Sequence, residues 1–262
     1  MDLGIQNRKA IINGGSAGLG YASALALARE GVELFVSARS EARLIAACKA
    51  IAAETGIPVT PIVADHSSSE GRERILEACP EPDILIGTSS PPRLVTDYRT
   101  VTDEELRAAI EVGLMSPFQF MQLVVDGMAK RGWGRIINIA SSAVKYPMEL
   151  RILSGAPRAA LINYASAISK AVAKHNVTIN TLLPALHLTE GTRAIFEPLA
   201  AGRGHTYEDE VARQIDLLGL PAGRFGSPED FGAIVALFCS QNANYVTGQS
   251  LVVDGGLATS MF

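Results

Sequence analysis

Seven short apolar runs punctuate the chain, and longer helical patterns lie between them. The runs fall at 9–14, 32–38, 58–65, 83–90, 134–141, 177–184 and 249–256. Several are apolar throughout, as suits parallel strands covered on both faces. The intervening stretches, such as 40–54, 103–131 and 154–175, have helical length and spacing, and Asp103-Glu-Glu places acids where a helix N-terminus favours them. Such alternation predicts an α/β fold, a doubly wound seven-stranded parallel sheet with helices on both faces. No linker, repeat or low-complexity segment interrupts 1–262, so a single domain is expected. Residues 185–227, rich in Gly, Pro and Thr, are the least regular. Following the sixth strand at the carboxyl edge of the sheet, they are placed to serve as a lid over a ligand.

Other features narrow the function. With 48% apolar residues the chain has ample material for a core, and its net charge of −4 gives no electrostatic reason to expect nucleic acid or an anionic membrane surface. No apolar run approaches the roughly 20 residues that cross a bilayer. The opening MDLGIQNRKAIING lacks the basic-then-apolar layout of a signal peptide. Cys48, Cys79 and Cys239 show neither paired nor metal-ligand spacing, so buried thiols in a reducing cytoplasm are expected.

The first strand runs into Asn13-Gly-Gly-Ser-Ala-Gly-Leu-Gly20 and then an alanine-rich helix. Glycines at 14, 18 and 20 allow a tight turn and let a pyrophosphate approach the helix N-terminus. Gly14, Ser16, Ala17, Gly18, Leu19 and Gly20 are therefore the candidate phosphate cradle. The second strand ends Ser37-Ala38-Arg39, without the acid that would accept from the ribose 2′-hydroxyl of NAD. Arg39 could pair with a 2′-phosphate instead, which predicts NADP(H); a solvated surface arginine is the plainer alternative.

These residues resemble the short-chain dehydrogenase/reductase family in its single-domain, Rossmann-type form, and the resemblance covers nearly the whole chain. Asn13–Gly20 is similar to that family's TGxxxGxG, and Asp65 to the acid that bonds the adenine amino group. GRIINIAS (134–141) is similar to the strand leading to the catalytic serine, Ser141. TINTLLP (178–184) and Thr189 resemble the segment beside the nicotinamide, bringing in Pro184. GRFGSPE (223–229) and YVTGQSLVVDGG (245–256) resemble the C-terminal signatures.

The resemblance implies a Tyr and a Lys four residues apart, working with Ser141 and a relay Asn. Thirteen residues beyond Ser141 stands Ser154, and 22 before Asn180 stands Arg158, so Ser154-xxx-Arg158 takes the place of Tyr-xxx-Lys. Tyr164 lies ten residues further along and is expected to pack, with Lys170 on the solvated surface. Gly113 stands where the relay Asn is expected, Gly87-Thr-Ser-Ser90 where the family has NNAG, and Ala185 where a glycine follows Pro184. Arg158 could bond the ribose hydroxyls but is too strong a base to serve as the acid. Ser141, Ser154 and Arg158 could form a hydrogen-bonding pocket for a developing alkoxide. Tyr146 and His187 are the neighbours that could supply a proton. His66, His175 and His205 are expected at the surface.

The leading expectation is an NADPH-dependent reductase of a carbonyl or imine, acting on an apolar, fairly bulky small molecule. A cofactor-binding sensor or structural subunit without turnover is the second. Lyase-type chemistry is the third, although the family's halohydrin dehalogenases keep Tyr beside Arg and lose the glycine loop. The resemblance also implies a homo-oligomer, dimer or tetramer, built on helices 103–131 and 154–175. Neither a metal site, a nucleic-acid partner nor a membrane partner is expected.

Overall fold

A computed structural model of the chain describes residues 1–259. Its seven strands are β1 (Lys9–Asn13), β2 (Glu33–Ala38), β3 (Val59–Val63), β4 (Ile84–Gly87), β5 (Gly134–Ile139), β6 (Val177–Pro184) and β7 (Ser250–Val253). They form one parallel sheet in the order β3-β2-β1-β4-β5-β6-β7, in register from Asn13 opposite Ser37 to Pro184 opposite Val253. The order reverses between β1 and β4, and the crevice outside the carboxyl ends at that reversal is where such sheets hold ligands.

Side-chain alternation along each strand divides the core into two layers. Ala10 and Ile12 of β1 face one side with Val36, Leu27, Ile51 and Phe231; Ile11 faces the other with Phe35, Phe120, Met121 and Leu161. The first layer is covered by α1 (Gly18–Arg29), α2 (Glu41–Thr55) and α9 (Pro228–Cys239). The second is covered by α3 (Ser69–Ala78), α5 (Ser116–Arg131) and α6 (Ile152–Val172). All three cysteines are buried and unpaired.

Two expectations change. Residues 103–131 are not one α-helix: α4 (Asp103–Ile110) passes through a π turn, Glu111–Met115, into α5. Pro117 has no N–H for the Gly113 carbonyl and its ring would press on that group, a conflict that a wider turn relieves. This run has the length and apolar content of a membrane span by those measures alone, yet its inward face packs on β5 and α6. Residues 185–227 are also more regular than their composition suggests. They contain α7 (Glu190–Arg203) and α8 (Tyr207–Leu218), N-capped by Thr189 and Thr206 and closed by left-handed Gly204 and Gly219. A small apolar cluster, Phe196, Leu220 and Phe225, supports them.

Candidate active site

A cavity of about 1020 Å³ runs along the carboxyl edge of the sheet, from α2 past β1 and β4 to α6 and α7. Single ligands fill roughly 300–1,000 Å³, so there is space for a dinucleotide with a substrate beside it. Gly14, Ser16, Ala17, Gly18, Leu19 and Gly20 all line it, as expected. Gly14 has φ +75°, and a Cβ there would lie 2.9 Å from the Thr88 carbonyl oxygen. A Cβ on Gly20 would run into the Gly14 carbonyl oxygen. Side chains at these positions would push the turn apart. Ala17 begins α1 without a side-chain cap, and no acid stands in the first turn. The positive end of the helix is thus available to an anion, and the residues fit a pyrophosphate.

At one end of the cavity Arg39 is 73% exposed, with Nη1 4.0 Å from Asp65 Oδ2. Burial pushes the Asp65 carboxyl up, but bonds from the Ser67 hydroxyl and N–H, with the charge of Arg39, outweigh it and hold it below its ordinary value. Arg43, one turn into α2, lines the same end. No motif marks Arg43 in the sequence.

The other end is built on α6. Its inward face carries Leu153, Ser154, Pro157, Arg158, Leu161 and Ala165, spaced to follow one side of the helix. Arg158 is only 5% exposed. It donates from Nη1 to Ser154 Oγ (3.1 Å) and the Ser154 carbonyl (3.3 Å), and from Nη2 to Ser89 Oγ (2.9 Å). Burial, then the charge of Arg151, lowers its pKa to about 10, which still leaves it a cation at neutral pH. Ser141 ends the turn after β5, and its Oγ accepts from the Ala143 N–H at 3.2 Å. Ser141, Ser154, Arg158 and Pro184 all line the cavity. Arg151, with no motif to announce it, lines it too.

Gly113 is buried in the π turn, where a Cβ would lie 3.1 Å from Pro157 Cβ and 3.6 Å from Arg158 Nη1. The room left by the missing side chain is shared by the guanidinium and a second cavity of about 20 Å³. His66, Ser89, Gly113, Ser116 and Arg158 are among its walls. That volume and polarity suit one water.

Several expected roles shift. Tyr146 is not among the cavity-lining residues. His187 is, but as a buried wall: its ring sits edge-on to Phe231 at 5.3 Å, Nδ1 lies 3.3 Å from the Ala185 carbonyl, and Gly226 abuts the ring. Burial pushes its pKa down. Thr189 borders the cavity while its hydroxyl caps α7 through the Thr192 N–H at 3.1 Å. Tyr164 packs on Phe118, ring centroids 4.5 Å apart, and Lys170 is exposed, both as expected. Only one of the three remaining histidines matches its surface expectation, the exposed His175. His66 is partly buried, with Nδ1 2.7 Å from Ser116 Oγ, because its ring turns inward between β3 and α5. His205 is held by Glu210 at 2.9 Å.

Comparison with known proteins agrees with this geometry. Residues 14–258 match the family model described as enoyl-(acyl carrier protein) reductase. An uncharacterized oxidoreductase, YvaG, of Bacillus subtilis is 28% identical, with all of both chains covered. The 3-oxoacyl-[acyl-carrier-protein] reductase FabG of Aquifex aeolicus is 27% identical over 98% of this chain and all of its own. The L-sorbose reductase of Gluconobacter frateurii, solved with NADPH and L-sorbose, superposes with a TM-score of 0.95 at 28% identity over the whole of both chains. A glycine cradle at the switch point, a full-length match and a shared sheet lead to one assignment: the chain belongs to the short-chain dehydrogenase/reductase family and is a nicotinamide-dependent oxidoreductase.

Proposed function

We propose that the protein is an NADPH-dependent carbonyl reductase that stabilises the developing alkoxide with Ser141, Ser154 and Arg158. One observation carries this reading. Ser154 Oγ accepts from Arg158 and Ser141 Oγ accepts from the Ala143 N–H, so each hydroxyl has its own proton free to donate to a carbonyl oxygen. Pre-oriented donors in a water-poor site are commonly the largest single contribution to catalysis.

NADPH rather than NADH is favoured by Arg39 and Arg43 at one end of the cavity and by Ala38 in place of the ribose-binding acid. When bound, the dinucleotide supplies the hydride that ends on the carbonyl carbon. Arg158 holds the nicotinamide ribose from its buried position and keeps Ser154 oriented. Ser141 and Ser154 take up charge from the carbonyl oxygen through their hydroxyl protons. The proton that completes the alcohol comes from water, for which the small cavity beside Arg158 offers a polar resting place. The helices α7 and α8 act as the lid, with Ile195, Phe196 and Leu218 on the cavity wall.

The assembly is a homo-oligomer in this reading, with exposed Leu106 and Leu123 on α4 and α5 turned to a mate. Three buried, unpaired thiols fit a reducing cytoplasm. The test is deuteride transfer from NADPH labelled at the pro-S position of C4 to a panel of ketones, aldehydes and imines. Labelled product supports the reductase. Bound NADPH with no label in any product overturns it, leaving a cofactor-binding protein without turnover.

A further inference from the structure

The reaction end of the cavity holds two cations that no carboxylate neutralises. Among the described residues Arg151 makes no side-chain hydrogen bond and no ion pair, and Arg158 meets only hydroxyls and a carbonyl. Desolvation lowers the pKa of both, and Arg158 also feels the charge of Arg151. The acids on the cavity wall lie elsewhere: Asp65 at the Arg39 end, and Glu190 exposed in the first turn of α7. Arg135 shows what surrounds a purely structural arginine in this fold. It is fully buried, but it bonds the carbonyls of Ser240, Gly134 and Asn176 and stacks on Trp133 at 4.4 Å. Arg151 has none of this. Arg151 is only partly buried, and a cation drawn part-way out of water without a partner is stabilised by a ligand bearing the opposite charge.

We propose that the substrate is an oxo acid whose carboxylate is held by Arg151. This rests on the reductase reading above and adds the substrate class to it. Arg151, Ser154 and Arg158 stand at i, i+3 and i+7, a single row along the face of α6 that meets the cavity. Three residues of helix rise about 4.5 Å, so a carbonyl at Ser154 and an anion at Arg151 are only a few carbon atoms apart. A planar guanidinium fork matches a carboxylate in two-point geometry. Arg151 is also the N-cap of α6, which has no side-chain cap and no acid in its first turn, so the helix end adds to the same positive field. Leu94, Met148, Leu186, Ile195 and Phe196 line the cavity and leave an apolar berth for the remainder of the molecule. The oxo acid gains a hydride at its carbonyl carbon and a solvent proton at its oxygen, and leaves as the hydroxy acid while NADPH becomes NADP⁺.

The experiment uses the full chain with Arg151→Gln and Arg151→Lys. Calorimetry follows binding of butyrate, hexanoate and octanoate, which have no carbonyl to reduce, to the protein–NADP⁺ complex. NADPH oxidation is then measured with 2-oxo and 3-oxo acids of four to eight carbons, their methyl esters, and a phosphate monoester of a hydroxyketone. The expected result is carboxylate binding that weakens about tenfold or more in Arg151→Gln, the scale of one charge-assisted pair. Binding returns in part in Arg151→Lys, NADPH affinity is unchanged, and oxo acids are preferred over their esters. Equal handling of acids and esters by the wild type overturns the proposal. So does a parallel loss of NADPH affinity in Arg151→Gln, which would place Arg151 on the dinucleotide. Preference for the phosphate ester overturns the choice of carboxylate. Carboxylate binding that depends on Arg151, with no NADPH oxidised by any compound, keeps the anion site and removes the reductase reading instead.

Discussion

The two ends of the large cavity are made from different materials. At the Arg39 end the grip comes from backbone: a glycine turn, an uncapped helix start, and cations that remain exposed. At the α6 end it comes from side chains, Ser154 and Arg158 buried to within a few per cent and the Arg158 guanidinium bonded to the Ser154 and Ser89 hydroxyls. A backbone grip depends on where a Cβ is forbidden, so few substitutions survive there. A side-chain grip can be rebuilt with other residue types provided that the polar groups remain satisfied. The difference makes the α6 end the more replaceable of the two, which is compatible with the serine–arginine site proposed above.

Substituting the α6 end tests this contrast most severely. Arg158→Met strips Ser89 and Ser154 of a shared donor and should lower kcat by about 10²–10³, the scale of losing an electrostatic donor at a reacting oxygen. NADPH affinity, set mainly at the other end, should change much less; an equal loss in both would erase the division of labour. Arg39→Ala should weaken NADPH about tenfold and leave NADH nearly unchanged, since one charge-assisted pair to a 2′-phosphate is at stake. Isothermal titration with both cofactors separates the two, and equal weakening would remove NADP selectivity from Arg39.

A smaller effect belongs to the lid. Glu210 on α8 has no exposed side-chain surface; the Gln214 amide, with Arg213, His205 and Arg203, outweighs its desolvation and holds its pKa at about 2, against 4.5 for an ordinary Glu. Because the folded value is depressed, the stability it contributes is present above pH 4.5 and is lost as pH falls towards 2. Thermal melts should show that decline, and Glu210→Gln should flatten it. Smallest of all is Tyr146→Phe, expected to leave kcat within about twofold because the phenol lies off the cavity wall. A large loss there would return the proton to Tyr146.

Much of the scaffold is legible in the sequence because its signals are local. Strands announce themselves by apolar runs, and the cradle by glycines between a strand and a helix. The lid looks irregular in sequence because Gly, Pro and Thr dominate it, yet Thr189, Thr206, Gly204 and Gly219 act as punctuation for two helices. Ser154 and Arg158 are found by the spacing that the family resemblance implies. Arg151 is not, since a lone arginine has no pattern and only the folded helix aligns it with Ser154. The cavity has apolar walls, in line with the apolar ligand expected, but sequence does not reveal the unpaired charge among them. His187 and Tyr146 are chemically able residues whose surroundings only the fold shows: neighbours crowd one ring, and the other is not among the cavity-lining residues.

The side-chain-free spot at Gly113 has a genetic consequence. Pro157 and the Arg158 guanidinium border the space that a side chain at 113 would enter. A side chain at 113 would press on Pro157, its Cβ 3.1 Å from the Pro157 Cβ, and a lysine at 158 would bring one ammonium where the guanidinium now reaches both Ser89 and Ser154. Positions 113 and 158 are therefore neighbours in space whose exchanges should not add: a double substitution should differ from the sum of the two single ones.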